Sequence, residues 1–301
     1  MENLEVDNVL LMTDSIFEKP VLVSFAKIAN LNISNSRFSS LNLSGTQVNG
    51  TLILGTDVLK PPKWDDGAEV ILNNAKVAVL IDREDSWPDK LELNGFTYSS
   101  YGEIRDGVYL MNTRSIGWLK KWLEKQKSYS PQPYEQLAKV LREQGYPSEA
   151  RNIGYLSGNR ETAASKGLNL RYIWLNLLKL TIGYGYKLNY IFWCVLGITF
   201  LGWLVLMRSN QGPGRYVKRG ELPESGTKRI LKGVFRIFKK IVVNFFFSLD
   251  MLLPVKIKFD EWSKVELIGK TKVYFYIHKR IGYILSFIII AWLTGIIYRY
   301  K

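Results

Sequence analysis

Twenty consecutive residues without a charge, Leu188 to Met207 (LNYIFWCVLGITFLGWLVLM), constrain this chain more than any other stretch. Lys187 and Arg208 close it. At about 1.5 Å rise per residue, a helix of that length crosses a hydrocarbon core of roughly 30 Å. A buried helix of a soluble protein seldom runs so far without an ionised side chain. Trp193 and Trp203 suit the interfacial layers of a bilayer. The stretch predicts a transmembrane helix over 188–207. A second uncharged run, Ile281 to Tyr298 between Arg280 and Arg299, predicts another over 281–298.

The charge divides at the same place. Of 41 Lys and Arg, 19 lie in residues 1–170 and 22 in 171–301, whereas 21 of the 27 Asp and Glu lie in the first part and 6 in the second. The net excess of +14 therefore belongs to the apolar half. This predicts contact with anionic lipid head groups and argues against a nucleic-acid-binding domain, whose basic patch would sit in the soluble part. One Cys, Cys194, precludes an intrachain disulfide, and one His, His278, makes no zinc site by itself. His278 is expected to be solvated or interfacial. The segment MENLEVDNVLLMTDS has neither a basic nor an apolar signal region, so residues 1–170 are expected to stay where they are made.

From Val21 the chain divides into fives: VLVSF, AKIAN, LNISN, SRFSS, LNLSG, TQVNG, TLILG. The third place holds Val23, Ile28, Ile33, Phe38, Leu43, Val48 and Ile53, and the first is mostly small or aliphatic. A period of five matches neither a helix nor a flat strand. It matches a solenoid in which each step forms one side of a coil with its central side chain inward. Lys27, Asn32, Arg37, Asn42 and Gln47 are then expected to point outward. The pattern resembles the pentapeptide-repeat family, closely over 3–55 and loosely over 68–98. That resemblance implies a right-handed, four-sided parallel β-helix over 1–110; an irregular, partly β-helical sheet is the alternative. Near-balanced charge argues against the DNA mimicry of some members. TDVLKPPKWDDG at 56–67 is expected to be a loop, and DREDSWPD at 82–89 a solvated turn without the spacing of a calcium loop.

The period turns helical from Ser115. Trp118, Leu119, Trp122 and Leu123 form one stripe; Tyr134, Leu137, Val140 and Leu141 form a second, and Ala150, Ile153 and Leu156 a third. Gly145 is expected to end a helix and Ser148 to cap the next. The hairpin within 113–165 resembles a tetratricopeptide-type unit. It is expected to pack on the solenoid and shield its last coil, a peptide-binding groove being the alternative.

Residues 171–187 are expected to form an interfacial amphipathic helix, with Trp174, Tyr184 and Tyr186 in the head-group layer, Lys179 and Lys187 reaching outward, and GYGY as a hinge. The segment 208–280 is expected to be a basic loop. Within it lies an amphipathic helix carrying Lys232, Arg236, Lys239 and Lys240, followed by a re-entrant or interfacial element over 242–255. Asp250, an acid inside that apolar element, is the intramembrane ionisable candidate, expected to face protein, water or a basic neighbour such as Lys256 or Lys258; the alternative is a place in the head-group layer, capping a short helix.

Taken in order, ELNGFTYSSYG, YSPQPYEQLAKVLREQGYPSEAR, TIGYGYK, FFSLDMLLPV and LTGIIYRYK resemble a bacterial group of membrane-anchored, pentapeptide-like proteins often labelled "membrane-associated oxidoreductase". The residues supply no dinucleotide fingerprint, flavin site, redox Cys pair or haem motif, so no catalytic, cofactor-binding or metal residue is assigned. The expected function is a non-enzymatic scaffold or sensor anchored in the bacterial inner membrane, with its N-terminal domain in the cytoplasm. Its expected partners are anionic lipid and a protein that meets the solenoid, and homo-oligomers suit such a chain. The rival is a membrane-active effector that the soluble domain controls. A third reading is an enzyme of unassigned chemistry.

Overall fold

The structure, a computed structural model, describes residues 4–111, 114–165, 167, 169–187, 189–216, 226–253, 262 and 265–293. The chain divides into two compact units, Met1–Asn176 and Leu177–Lys301.

The first unit is built on a parallel β-solenoid of about five turns. Strands β1 (Glu5–Leu11), β2 (Ile16–Phe17) and β3 (Val21–Leu22) make the first coil. Then follow β4 (Lys27–Asn32), β5 (Arg37–Phe38) and β6 (Leu41–Asn42), and β7 (Gln47–Ile53), β8 (Lys63–Trp64) and β9 (Glu69–Ile71). Strands β10 (Lys76–Ile81), β11 (Lys90–Glu92) and β12 (Thr97–Arg105) continue the climb, and β13 (Val108–Met111) folds back antiparallel on β12. The three sheets run β1-β4-β7-β10-β12-β13, β3-β6-β9-β11 and β2-β5-β8.

The five-residue period sets the interior. Val23, Ile28, Ile33, Phe38, Leu43 and Val48 are all buried, as are Ala26, Leu31, Ser36, Leu41 and Thr46 at the first place of each step. Ile28, Val48, Val77 and Tyr98 lie level in successive coils, so like positions stack into one column. A second column, Phe17, Phe38 and Trp64, is aromatic, with ring centroids 4.8 and 5.4 Å apart. Trp64 belongs to β8, a strand inside what the sequence presents as the 56–67 loop.

The frame slips at Ile53, which is half-buried while Leu52 and Leu54 point inward. Strand β7 carries one residue more between Val48 and Leu52 than β4 carries between Ile28 and Leu31. This bulge needs Gly50, because a Cβ there would lie 2.3 Å from Asn30 Oδ1. That oxygen accepts the Thr51 N–H at 2.9 Å. The outward row also divides. Lys27, Arg37 and Gln47 are exposed, but Asn32 and Asn42 are half-buried. Their Oδ1 atoms accept the N–H and Oγ–H of Ser34 and Ser44 at 2.6–3.0 Å, which closes a turn at each corner.

Three helices share the solenoid's core: α1 (Ile116–Glu124), α2 (Gln132–Glu143) and α3 (Pro147–Ala164). Leu119, Trp122, Leu123, Tyr134, Leu137, Val140, Leu141, Ala150 and Ile153 are buried, and Leu156 is partly so. Ser115 caps α1 by accepting the Trp118 N–H at 3.2 Å. Helix α3 starts one residue before the expected Ser148 cap. Pro147 opens it, and Tyr146 at the cap position makes no side-chain bond.

Glutamines on α2 (Gln132, Gln136) and just past the ends of α1 and α2 (Gln126, Gln144) answer the open backbone of the last coils. Gln126 Oε1 accepts the Leu93 N–H at 3.0 Å, and Gln132 Oε1 accepts that of Gly95 at 2.9 Å. The amides of Gln132, Gln136 and Gln144 donate to the carbonyls of Phe96, Tyr98 and Tyr101 at 3.0, 2.5 and 2.8 Å.

Further on lie α4 (Leu170–Ile182), a 3-10 turn at Gly183–Gly185, α5 (Asn189–Ser209), α6 (Gly226–Leu252) and α7 (Gly269–Leu293). Two expectations change. Helix α6 is continuous, so the amphipathic stretch and most of 242–255 form one element. Helix α7 begins at Gly269, twelve residues ahead of the expected 281, and 294–298 lie outside the described residues.

Leu43 is sealed inside and Asn42 sits at the surface one residue earlier, so the same substitution should act oppositely. Leu43→Asp should cost more than about 4 kcal/mol and abolish the cooperative melting of the solenoid, by burying an unpaired carboxylate. Asn42→Asp keeps both acceptor bonds and should change stability by less than about 0.5 kcal/mol. Calorimetric melts of the two variants check the coil frame.

Candidate functional site

Two helices, Asn189–Ser209 and Gly269–Ile290, are long and apolar enough to cross a bilayer. Only 17% and 28% of their most apolar stretches are buried, so their greasy faces point outward. Phe192, Trp193, Phe200 and Leu201 on α5, and Val273, Ile277, Ile284, Phe287 and Ile290 on α7, are exposed.

The polar groups are inside. Thr199, Asn244, Ser248 and His278 are almost completely buried where α5, α6 and α7 meet. Ser248 Oγ donates to the Thr199 carbonyl at 2.8 Å. His278 Nε2 lies 3.0 Å from the Ser248 carbonyl, which can only accept, so that nitrogen carries the proton. A Cβ on Gly202 would lie 2.1 Å from Ser248 Oγ, and one on Gly282 would lie 1.6 Å from the Leu252 carbonyl. Both crossings therefore require glycine. Asn244 Oδ1 accepts the Gly214 N–H at 2.8 Å, and Trp203 Nε1 donates to the Ile241 carbonyl at 3.1 Å. Small residues at the crossings with hydrogen bonds between helices are how helices associate without a hydrophobic drive between them. His278 thus departs from its expected solvated or interfacial place. Its position on α7 turns it onto α6, and its ring packs against those of Tyr274 and Phe275.

The candidate membrane-contact residues lie on α4, on the turn that follows it and on α6. Trp174 and Lys179 are exposed on α4. Tyr184, expected among head groups, is buried in the left-handed conformation at φ +59°, where the chain leaves the helix. Tyr186 and Lys187 are half-buried, with the Lys187 ammonium 5.7 Å from the Tyr190 ring. Lys232 and Arg236 lie on α6, their side chains outside the described residues. Lys239 is exposed, and Lys240 Nζ donates to Asn210 Oδ1 at 2.9 Å. Asp250 is half-buried near the end of α6; Lys256 and Lys258 lie outside the described residues. Among the described residues, no group of three or more His, Cys, Asp or Glu is placed to hold a metal ion.

In the first unit, the segment 82–89 is not the solvated turn its four acids suggest. Asp82, Ser86 and Trp87 are buried. Trp87 Nε1 donates to Asp82 Oδ2 at 2.5 Å, and Arg114 Nη2 pairs with Asp82 Oδ1 at 3.1 Å. The Arg114 guanidinium also pairs with Glu103, whose other oxygen takes Arg105 at 2.6 Å. It lies 5.4 Å from the Trp118 ring centroid, tying α1 to the coil. A cleft of about 460 Å³ opens over this cluster, bordered by Asp57, Arg83, Asp85 and Arg105. Arg83 pairs with Asp85 at 3.2 Å. The cations bordering the cleft are thus matched by acids, and neither His nor Cys lines it. The arrangement is a clasp between β10, β12 and the helices. Only the fold reveals it, because Asp82, Glu103 and Arg114 share no sequence motif.

Burial pushes the Asp82 carboxyl up to about 6, against the pull of Arg114 and Trp87. An unfolded Asp ionises near 4. Between those values the native state holds a proton that the unfolded chain has lost, so this contribution to stability falls as pH rises through 6. Arg114→Met removes the opposing cation and should destabilise the first unit by about 3–5 kcal/mol at pH 7. Part of that loss should return at pH 5, where Asp82 takes up its proton. Melting curves at both pH values decide this, and an equal loss at each would count against the clasp.

Comparison of the chain with protein-family models, with curated proteins and with solved structures finds no match in any of the three.

Proposed function

We propose that this chain is a membrane-anchored scaffold or sensor that works by binding rather than by catalysis. In this reading α5 and α7 hold it in a bacterial inner membrane, and the solenoid meets a protein partner. One observation carries the proposal: the helices bury Thr199, Asn244, Ser248 and His278 while exposing Phe192, Phe200, Ile284 and Phe287. Water would favour the reverse, and hydrocarbon favours this arrangement. Net positive charge in residues 171–301 adds attraction to anionic lipid.

Topology sets two tendencies against each other. Seventeen Lys and Arg between Arg208 and Arg280 would hold that segment on the cytoplasmic side. The rule weakens over segments longer than about 60 residues, and exporting the folded solenoid is the harder step. We therefore place both termini inside and 208–280 outside.

A second reading has an observation of its own. Val234, Phe235, Ile237 and Phe238 on α6 are exposed next to the cation of Lys239, a combination that inserts into lipid surfaces. A membrane-active effector would use that face to breach a bilayer. The scaffold reading predicts that the chain reconstituted into anionic vesicles leaves trapped dye inside; release of the dye would favour the effector. A chromophore that stayed with the purified protein would support an enzyme instead.

Alkaline carbonate should leave the chain in the membrane pellet, and its release would contradict anchoring by spanning helices. In Cys194→Ser protein, an impermeant maleimide on intact cells should reach Ser225→Cys and miss Ser99→Cys. The opposite labelling would reverse the topology.

A further inference from the structure

The one histidine of the chain is among its most enclosed polar side chains. His278 lies on the buried stripe of α7, with Thr271, Phe275, Gly282, Leu285 and Ile288. Its Nε2–H goes to the Ser248 carbonyl at 3.0 Å, and a Cβ on Gly202 would lie 2.9 Å from its Cε1. Nδ1 therefore keeps its lone pair, and it is buried without a hydrogen-bond partner among the described residues. Thr199 Oγ1, one helical turn from Gly202 on α5, is buried without a partner among them too. The seam between the three helices thus holds one ring with an open position for a proton.

The joints around that ring are unequal. Helix α6 is tied to α5 and to the turn after it by Ser248 to Thr199, Trp203 to Ile241, Asn244 to Gly214 and Lys240 to Asn210, none of which uses the imidazole. Helix α7 meets that pair through His278 and through the close approach of Gly282 to the Leu252 carbonyl. The ionisable surroundings are sparse. On α7 the Tyr274 ring lies 5.6 Å away, and the neighbouring Lys279 and Arg280 are exposed. On α6, Asp250 is two positions past Ser248, which puts it on the other side of that helix. Helix α5 carries no charge before Arg208, and Glu266, ahead of α7, is exposed. Among the described residues, no carboxylate pairs with His278.

We propose that His278 is a proton-sensing site, through which acid loosens α7 from α5 and α6. A proton on Nδ1 makes that nitrogen a second donor and gives the ring a positive charge. With the helices together, both lie against Gly202, Phe275 and the Ser248 carbonyl, where no acceptor meets Nδ1 and no anion meets the charge. Once α7 moves off and water enters, both are answered. Acid therefore favours the open arrangement. The Nε2–H bond to Ser248 is available in either protonation state, so Nδ1 alone carries the change. The joints assign the movement to α7, because the α5–α6 bonds do not depend on the ring. This inference rests on the membrane reading of α5 and α7, and it deepens the sensor reading by naming protons as the trigger.

The test uses the full chain as Cys194→Ser in bilayer discs, with spin labels at Leu201→Cys on α5 and Ile284→Cys on α7, both exposed. Lowering the pH from about 8 to about 5, the range in which histidine takes up a proton, should lengthen the distance between the labels. The expected change is on the order of 2 Å, the scale of a helix shift. His278→Gln keeps a donor for the Ser248 carbonyl and takes up no proton. Its spacing should match that of the parent at the higher pH, under both conditions, which also shows that the variant folds. Asp250→Asn should respond to acid as the parent does. A spacing that acid leaves unchanged or shortens would overturn the proposal. So would a response that persists in His278→Gln, or one that Asp250→Asn abolishes. Carbonate extraction reports on anchoring alone. A chain that stays in the pellet yet shows no response to acid contradicts the proton site, and a chain that is released contradicts the anchoring.

Discussion

A stack of parallel coils must do something with the backbone at each end, and the first unit is organised around that need. Every coil hands its N–H and C=O groups to the next, so the last, outside the stretch of β12 that β13 pairs, has donors and acceptors but no strand to receive them. The chain answers with glutamines, whose amides both donate and accept. Gln132 does both at once, taking the Gly95 N–H and giving to the Phe96 carbonyl. This explains why α2 lies where it does. Its apolar stripe fixes the face, and Gln132 and Gln136 fix its register on the coil beneath. The Arg114 clasp adds a second tie between helices and coils, and its charges are tolerable in the interior only because Asp82 and Glu103 answer them together.

In the second unit, two of whose helices are long and apolar enough to cross a bilayer, main-chain atoms are again answered by side chains of another element. There the apolar residues face outward and the hydrogen bonds run between helices, from Ser248 to Thr199 and from His278 to Ser248. Gly202 and Gly282 let the backbones approach closely enough for those bonds to form. Both units are thus held by side chains that satisfy main-chain atoms of another element.

Much of this was legible in the residues. The five-residue period identified the inward column from Val23 to Val48, and the helical stripes identified the buried faces of α1, α2 and α3. Both signals are periodic, so they survive without any knowledge of the fold. What could not be read was aperiodic. The bulge at Gly50 is one inserted residue, and it moved Ile53 out of the core. Asp82 looked solvated because its partner Arg114 is thirty-two residues away. His278 looked interfacial because it sits in a basic run, yet it lies three positions after Phe275, close to one helical turn, which brings both to the same inward face. The glutamines were invisible for another reason: their acceptors and donors are main-chain atoms, which every residue has.

The central claim is that the solenoid is closed by the side-chain amides of its helices and not merely shaded by them. Hydrogen exchange of the intact protein tests it directly, because the N–H groups of Leu93 and Gly95 are held by Gln126 and Gln132. Replacing both glutamines with Leu leaves the apolar cover in place and removes only the bonds. Leaving a buried donor unanswered costs about 1–3 kcal/mol, so exchange across 91–98 should quicken by roughly ten- to a hundredfold. Exchange in the coil from Lys27 to Asn42 should keep its original rate. Unchanged exchange at 91–98, or equal quickening in every coil, would contradict the account.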